Sequence, residues 1–355
     1  MALTLDFSGK TILVCGIHKG GMGGATCRQL AKAGATVIAL DRDQAYVDEI
    51  VTEVEAMGGK AYGLTADLLD IAQCEQVIPR VLEKFGPIDG IANIAGGTRG
   101  EEWMPLEETP GESFWKTLQL NFAYVFYLCR DAAAEWIRTG RSGAIVNVGS
   151  VSAKDAAPWH GPYGAAKSGI IALTRTMANE WHEFGIRANS VSPGAVMSAR
   201  VLDKAQTMSD RAKASRDPSD TVIFSEPVEL ANTITFLLSD LASGISGQNV
   251  TVDRSLSTKF CGGRRLTRKE TEQKTIQQDQ MGEDAYWNLA FSTKSRHRNP
   301  GRVSIPGASA WPSVPPTRTA SSRSRWPTKR AFTLPGWSSI TSARAAVTCL
   351  ATTWS

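Results

Sequence analysis

The first 96 residues alternate short apolar runs with helical patterns, and this alternation limits the fold more than any other feature of the chain. Runs of strand length, rich in β-branched residues, occur at residues 11–15, 36–40, 61–65 and 88–94. Helical patterns lie between them, at residues 25–33 and 71–85. Strands that alternate with helices in this way form βαβ units. The chain is therefore predicted to be an α/β protein with a doubly wound parallel sheet.

A glycine-rich turn joins the first strand to the first helix and predicts a phosphate-binding site. The turn reads Gly16-Ile-His-Lys-Gly-Gly-Met-Gly23-Gly24. Glycines at this place let the backbone approach a pyrophosphate, which then lies at the helix N-terminus. Asp41 ends the second strand, 20 residues after Gly21, where a carboxylate can accept hydrogen bonds from a ribose. A merely structural turn is the alternative, but the strand, helix and acid in one register favour dinucleotide binding.

The charges around this turn favour NAD as the cofactor. The Asp41 carboxylate would repel the 2′-phosphate of NADP, and it would hydrogen-bond the two free ribose hydroxyls of NAD. Lys19 in the turn and the neighbouring Arg42 could attract that phosphate, so NADP is the weaker alternative.

A hydroxyl, a phenol and an amine follow between Ser150 and Lys167. Ser150 comes after a strand predicted at 144–148, and Tyr163 and Lys167 lie one turn apart on a helix predicted at 163–184. A phenol has a pKa of about 10, and a neighbouring ammonium is expected to lower it. Tyr163 could then exchange a proton with a substrate hydroxyl while Ser150 donates a hydrogen bond to the same oxygen. The Tyr-Lys spacing alone is common on helix surfaces, so this interpretation depends on the motifs upstream.

Taken together, the motifs resemble those of the classical short-chain dehydrogenases/reductases over about residues 5–255. They occur in the order and spacing of that family: the glycine-rich turn, Asp67, Asn93-Ile-Ala-Gly96, Asn121, Ser150, Tyr163-x-x-x-Lys167, and Pro193-Gly194 followed by Ser198. The resemblance implies a Rossmann fold with Tyr163 as acid/base, Ser150 holding the reacting oxygen and Lys167 on the nicotinamide ribose. Asn121 would hold a water that links Lys167 to solvent. The alternative for Asn121 is a polar residue that kinks a helix predicted at 112–138.

The resemblance also implies the residues that contact the cofactor and the substrate. The cofactor residues would be Gly16, Lys19, Gly21, Met22, Gly23, Asp41, Asp67, Leu68, Asn93, Ala95, Gly96, Tyr163, Lys167, Pro193, Gly194, Val196 and Ser198. The substrate pocket would be lined by Trp103, Trp159, His160, Met197 and Val201, next to a polar segment at 208–219 that could act as a lid. Three alternatives are open: Asp67 as a helix N-cap, Trp159 at a subunit interface, and His160 as a solvated loop residue rather than a second acid.

Two positions depart from the family pattern. The glycine motif is one residue longer than usual, so Gly20 or Gly21 could be its middle glycine. After a strand predicted at 248–253, the usual Gly-Gly is replaced by Arg254-Ser255. This second departure puts the C-terminal end of the family domain in doubt.

The composition changes after about residue 260, which we take as the end of the catalytic domain, 1–260. Residues 1–260 hold 24 Lys and Arg against 30 Asp and Glu, so this part has no basic stripe for nucleic acid. Residues 261–355 hold 15 against 5, and none of the last 71 residues is acidic. This tail is interpreted as disordered or out of frame after a frameshift, and the alternative is a basic tail that binds an acidic surface.

Several further expectations follow from composition. The chain has six cysteines without metal-ligand spacing, no apolar run of membrane-span length and no signal-peptide pattern, which favours a cytoplasmic protein with reduced thiols and no metal. The helices predicted at 112–138 and 163–184 carry more apolar surface than one sheet face can cover. A homo-oligomer, either a tetramer or a dimer, is therefore expected.

The predicted function is an NAD-dependent oxidoreductase that interconverts a hydrophobic or cyclic secondary alcohol and its ketone. One alternative on the same fold is an NADP-dependent 3-oxoacyl-carrier-protein reductase. Another, of a different class, is a dinucleotide-binding regulator without turnover, although such a regulator would not need the Ser150, Tyr163, Lys167 and Asn121 set.

Overall fold

Seven parallel strands form the sheet that the alternating pattern predicts. The computed structural model describes residues 4–198, 201, 207 and 224–257. The chain divides into two units at residues 275/276, and all described residues belong to the first. The predicted lid at 208–219 and the tail from 261 onward lie outside the described residues.

The strands and helices are bounded as follows. The sheet contains β1 Thr11–Cys15, β2 Thr36–Asp41, β3 Lys60–Thr65, β4 Gly90–Asn93, β5 Gly143–Val148, β6 Ile186–Pro193 and β9 Asn249–Val252, and a separate pair is formed by β7 Ala195–Val196 and β8 Phe224–Ser225. The helices are α1 Met22–Lys32, α2 Gln44–Ala56, α3 Ile71–Phe85, α4 Gly111–Leu118, α5 Tyr124–Thr139, α6 Gly161–Glu180 and α7 Pro227–Leu238.

The order of the strands places a crevice beside β1. The order is β3-β2-β1-β4-β5-β6-β9, so the chain winds outward from β1 first in one direction and then in the other. Cys15 at the end of β1 pairs with Leu40 of β2 and with Asn93 of β4. Ligands of such sheets bind at the carboxyl ends of the strands, where the order reverses. The glycine-rich turn, Asp67, Gly96 and Ser150 follow the ends of these strands.

Helices cover both faces of the sheet, so the strands are apolar throughout. Val14 of β1 packs with Leu30 of α1 and Ile234 of α7 on one face. On the other face, Leu13 of β1 and Val77 of α3 belong to a second cluster. Strands buried on both faces have continuous apolar runs, which explains the pattern at residues 11–15 and 36–40. Within the described part of the chain, Cys15, Cys27, Cys74 and Cys129 are buried and unbridged.

The predicted helix at 112–138 is interrupted by a π-helical turn, Gln119–Ala123. The Asn121 side chain explains the interruption, because its Nδ2 donates to the Thr117 carbonyl oxygen at 3.0 Å. A side chain that bonds the carbonyl four residues back competes with the helical ladder. The kink considered as an alternative for Asn121 is therefore present. Among the described residues, no helix is both long and apolar enough to cross a membrane.

Arg254 and Ser255, which replace the expected Gly-Gly, have the backbone conformation that glycine favours. Their φ angles are 49° and 64°. Arg254 Nε also donates to Glu229 of α7 at 3.0 Å, and the Ser255 N–H donates to Asp253 at 2.9 Å. The turn after β9 is therefore retained without its glycines, at the cost of local strain.

Ser255→Gly is expected to stabilise the protein. Relief of the left-handed conformation outweighs the greater freedom of glycine in the unfolded chain, for a net gain of about 0.5 kcal/mol. Denaturant unfolding should measure this gain. Ser243→Gly is the matched control, because Ser243 has an ordinary φ of −55°, and it should lower stability. A loss of stability in both variants would contradict the strain at Ser255.

Candidate active site

Ser150 and Tyr163 are neighbours at the carboxyl end of β5, where the Ser150 hydroxyl partly offsets the burial that raises the pKa of Tyr163. Ser150 follows β5 and is buried, and its Oγ accepts the Ser152 N–H at 3.1 Å. Tyr163 lies in the first turn of α6, which begins at Gly161 with Pro162 as an early helical residue. Proline is favoured at that place because its missing N–H has no helical partner. The two hydroxyls can therefore share one substrate oxygen.

Lys167 extends from α6 to the same strand end. Its Nζ donates to the Val148 carbonyl oxygen at 2.9 Å and lies 5.7 Å from the centroid of the Tyr163 ring. A Cβ at Gly96 would lie 2.6 Å from Asn121 Oδ1 and 3.2 Å from Lys167 Nζ. The predicted residues Gly96, Asn121 and Lys167 are thus brought together, and only glycine fits at position 96.

The Asn121 side chain is fully buried, and both its polar atoms are bonded to the protein. Its Oδ1 accepts the Gly97 N–H at 2.7 Å, and its Nδ2 donates to the Gly97 and Thr117 carbonyls. These bonds fix the segment after β4 against the π-helical turn. The water relay through Asn121 stays a prediction.

The expected effect of Lys167 on the Tyr163 pKa is wrong for this protein without cofactor. Burial raises the pKa of Tyr163, and only the hydrogen bond from Ser150 lowers it. Burial also lowers the pKa of Lys167 to about 7. A fully charged Lys167 would lower the pKa of Tyr163, but desolvation disfavours the charged form of both groups.

The lowered pKa of Lys167 predicts a pH-dependent stability. Unfolded lysine keeps its proton to a pH of about 10.4, so between pH 7 and 10 the unfolded state binds more protons and stability rises with pH. Relative to Lys167→Met, the wild-type free energy of unfolding should gain about 2 kcal/mol from pH 7 to pH 9. Cofactor-free denaturation at both pH values measures this gain. Lys154→Met, at an exposed lysine, is the control. If the free energies of unfolding of wild type and Lys167→Met differ by the same amount at pH 7 and pH 9, the lowered pKa of Lys167 is contradicted.

The glycine-rich turn lies against the ends of β1 and β4. Gly16 has a φ of +88°, and a Cβ there would lie 2.6 Å from the Ala95 backbone. A Cβ at Gly23 would lie 1.9 Å from the Gly16 carbonyl oxygen. Gly21 is the N-cap of α1, and no side chain caps that helix. The first N–H groups of α1 can therefore bind a pyrophosphate.

The structure assigns Gly21, rather than Gly20, to the start of α1. A Cβ at Gly20 would meet nothing closer than the His18 ring at 3.6 Å. Gly24 is the glycine whose role the sequence argument missed, since a Cβ there would lie 2.7 Å from the Lys19 carbonyl. The sequence feature that could have indicated this role is the pair of consecutive glycines at 23–24.

Asp41 lies at the end of β2 beside this turn. Its Oδ2 accepts the Ile17 N–H at 3.1 Å, and its Oδ1 accepts the Arg42 N–H at 2.9 Å. Lys19 is exposed and paired with Glu49 of α2 at 2.8 Å. The charge of Lys19 is therefore partly neutralised, which weakens its attraction for a 2′-phosphate.

Asp67 and Leu68 follow β3, next to Asp41. Asp67 Oδ1 accepts the Leu69 N–H at 3.0 Å, and Leu68 is buried. Asp70, not Asp67, is the N-cap of α3, because its carboxylate accepts the Ala72 and Gln73 N–H groups. The capping alternative for Asp67 is thus wrong.

The Asn93 side chain faces the interior of the protein, so its backbone at the end of β4 is the part left for the predicted cofactor contact. Asn93 is 1% exposed, and its Nδ2 donates to Asn147 Oδ1 at 2.8 Å. The Asn147 Nδ2 in turn donates to Thr174 Oγ1 of α6 at 3.0 Å. Asn93 therefore connects β4 to β5 directly and to α6 through Asn147. The following residues, Ala95 and Gly96, are the part of this motif that faces the glycine-rich turn and Lys167.

The predicted cofactor residues after β6 form the other wall of the crevice. Pro193 ends β6 and is buried, and a Cβ at Gly194 would lie 2.7 Å from Asp253. Val196 is buried in β7, and the Ser198 carbonyl accepts the Val201 N–H at 3.0 Å. This wall is held by pairing with β8 and β9.

Three of the five predicted substrate residues are brought together above Tyr163. Trp103 stacks on His160 with centroids 4.1 Å apart, and the Trp159 carbonyl accepts the Met104 N–H at 2.8 Å. The other two predicted residues, Met197 and Val201, come after β7 in the chain, and Met197 is 42% exposed. The His160 ring is half-buried and packs against the Trp103 and Tyr163 rings. Among the described residues, no group of three or more His, Cys, Asp or Glu side chains could hold a metal.

Comparisons with known proteins agree on one family. The family model described as enoyl-(acyl carrier protein) reductase matches residues 16–256. The 3-oxoacyl-[acyl-carrier-protein] reductase of Thermotoga maritima is 34% identical over 71% of this chain and 99% of its own length. The D-threitol dehydrogenase of Mycolicibacterium smegmatis is 30% identical over 72% of this chain and 98% of its own. A putative short-chain alcohol dehydrogenase from Sinorhizobium meliloti has a similar structure, with a TM-score of 0.65, 28% identity, and coverage of 73% of this chain and all of that one.

Proposed function

The chain belongs to the classical short-chain dehydrogenase/reductase family, an NAD(P)-dependent oxidoreductase family, and we propose that it interconverts a hydrophobic secondary alcohol and its ketone with NAD. In the oxidative direction, Tyr163 would take the hydroxyl proton, and the bound cofactor would accept the hydride of the carbinol carbon. The alcohol would thereby lose two electrons to the cofactor and become a ketone. Reduction of the ketone reverses both transfers.

The observation that carries this proposal is the position of the Ser150 hydroxyl next to the Tyr163 phenol, with the Lys167 amine 5.7 Å from the centroid of the phenol ring. A hydroxyl donor and an acid/base group that share one substrate oxygen stabilise the charge that develops there. The raised pKa of Tyr163 makes it a proton donor in ketone reduction. In alcohol oxidation Tyr163 must act as a phenolate, the form that the Ser150 hydroxyl favours.

The residues present fit a nicotinamide dinucleotide. The uncapped N-terminus of α1 and the close approach at Gly16 and Gly23 leave space and donors for a pyrophosphate. When bound, the cofactor supplies or accepts the hydride. Asp41 would accept from the adenosine ribose, and Lys167 would donate to the nicotinamide ribose. The Asp41 carboxylate and the Lys19–Glu49 pair support NAD over NADP.

Asp41→Ser is expected to move the preference toward NADP. Removal of the carboxylate relieves its repulsion of the 2′-phosphate, so the affinity ratio of NADP to NAD should rise at least about tenfold. Fluorescence titration with both cofactors measures the ratio. Asp43→Ser is the control, because this nearby carboxylate caps α2 by accepting the Ala45 N–H. An equal change in both variants would argue against Asp41 as the selective group.

A screen at the nicotinamide absorbance band tests the proposed reaction. Purified protein would be incubated with NAD or NADP and a panel of cyclic, aromatic and aliphatic secondary alcohols. A 3-oxoacyl thioester with the reduced cofactors represents the carrier-protein reductase alternative. We expect turnover with NAD and cyclic or aromatic alcohols. Turnover of the thioester alone would favour the alternative, and cofactor binding without any turnover would favour a regulator.

We also propose that the enzyme assembles into a homo-oligomer. Trp115 of α4 is 68% exposed, and Phe126 of α5 is 42% exposed. Exposed apolar patches are typical of protein interfaces, and we infer that these two side chains contribute to one. Sedimentation of the purified protein measures the assembly, and a monomer at micromolar concentration would contradict it.

A further inference from the structure

The His160 ring has four partner residues, and it lies next to the proposed reacting groups. Its ring stacks on Trp103 with an interplanar angle of 16°, and it packs against the Tyr163 ring with centroids 5.7 Å apart. Its Nε2 lies 3.2 Å from Ser152 Oγ, and its Nδ1 lies 2.9 Å from the Pro158 carbonyl oxygen. Both ring nitrogens thus have partners within the protein.

The chemistry of these partners fixes the tautomer of the imidazole. A carbonyl oxygen can only accept, so Nδ1 carries the proton that it donates to Pro158. In the neutral ring, Nε2 is then an acceptor, and the Ser152 hydroxyl donates to it. A substrate proton would have to displace Ser152 to reach Nε2. The arrangement therefore does not favour His160 as a second acid.

Ser152 connects this imidazole to the catalytic serine. Its side chain binds His160 while its backbone N–H donates to Ser150 Oγ at 3.1 Å. Since Ser150 Oγ accepts on that side, its own proton is free to point toward Tyr163. The imidazole contacts both partners of the Ser150–Tyr163 pair, the serine through Ser152 and the tyrosine through its ring.

We propose that His160 is a positioning residue that, as the Nδ1–H tautomer, holds Ser152 and the Tyr163 ring and so fixes the Ser150–Tyr163 pair. This inference rests on the proposed function, because the pair matters only if it shares a substrate oxygen. Small displacements of such a pair are costly, since a misplacement of 1 Å can lower a rate about a hundredfold. The stack with Trp103 adds a rigid aromatic wall on the substrate side.

The tautomer can be measured without any turnover. Wild-type protein with nitrogen-15 histidine would be studied by long-range nitrogen–proton NMR at pH 8, with His160→Phe to assign the signals among the four histidines. We expect an Nδ1–H tautomer and a shift of the Nε2 signal in Ser152→Ala. An Nε2–H tautomer, or an Nε2 signal that Ser152→Ala leaves unchanged, would overturn the proposal.

A double-mutant cycle measures the consequence for catalysis. Ser152→Ala and His160→Phe remove the same hydrogen bond, and phenylalanine keeps a flat ring for the stack on Trp103. Each should lower kcat about tenfold with the KM for the cofactor unchanged, and the double variant should also lose about tenfold. A hundredfold loss in the double variant, or normal kcat in either single variant, would overturn the proposal. Ser168→Ala is the control, because that hydroxyl donates to the Ala153 and Gly164 carbonyls.

The two readouts separate the proposal from the function on which it rests. If the wild-type protein oxidises no alcohol in the panel, the proposed function fails. The NMR result then still decides whether His160 has the tautomer and the Ser152 bond that the proposal requires.

Discussion

Tyr163→Phe is expected to lower kcat by about a thousandfold and to leave cofactor affinity within about twofold of wild type. In the proposed reaction the phenol exchanges the proton of the substrate hydroxyl, and phenylalanine has no group that can do so. The ring itself packs against His160, and phenylalanine keeps that contact. The measurement is steady-state turnover of the fastest alcohol found in the screen, together with NAD titration by fluorescence.

Tyr62→Phe is the matched control for this variant, because Tyr62 lies in β3, is 37% exposed and stacks on Phe85. It should keep normal turnover. Normal turnover in Tyr163→Phe would refute the acid/base role of Tyr163. A parallel loss of NAD affinity would instead indicate that the variant disturbs the whole crevice.

Gly23→Ala is expected to weaken dinucleotide binding at least about a hundredfold, because a methyl group at this position cannot coexist with the Gly16 carbonyl oxygen. The turn would have to open, and the first N–H groups of α1 would move away from the pyrophosphate. NAD titration measures the loss, and thermal unfolding shows whether the variant is folded.

Gly20→Ala is the matched control within the same turn, since its methyl group would meet only the His18 ring at 3.6 Å. It should bind NAD with nearly normal affinity. Equal losses in the two variants would contradict the assignment of Gly21 and Gly23, rather than Gly20, to the phosphate-binding turn.

The sequence predicts the fold well because strands buried on both faces and glycine-marked turns have strong local patterns. The bounds of β1 and α3 are those predicted, at Thr11–Cys15 and Ile71–Phe85. The parallel sheet and the family are confirmed. The motifs also place Ser150, Tyr163 and Lys167 at one strand end, because residues that follow parallel strands meet at the same edge of the sheet.

Tertiary contacts decide the features that the sequence does not predict. The pKa of Lys167 depends on its burial and not on its spacing from Tyr163. Asn93 resembles a cofactor residue in its motif, but its amide donates to Asn147 of β5, which in turn donates to Thr174 of α6. Ser152 and His160 are eight residues apart in a segment without helical or strand periodicity, so no sequence pattern predicts their contact. The glycine-like turn at Arg254 and Ser255 is likewise set by Glu229 and Asp253.

The central claim is a direct hydride transfer between a secondary carbinol carbon and the nicotinamide, with Tyr163 moving the proton. The most direct measurement uses an alcohol from the screen with deuterium on its carbinol carbon, together with NAD and the wild-type enzyme. We predict that deuterium appears at C4 of the reduced nicotinamide and that the alcohol becomes a ketone. Reduced cofactor without deuterium, or no reduction with any secondary alcohol of the panel, would contradict it.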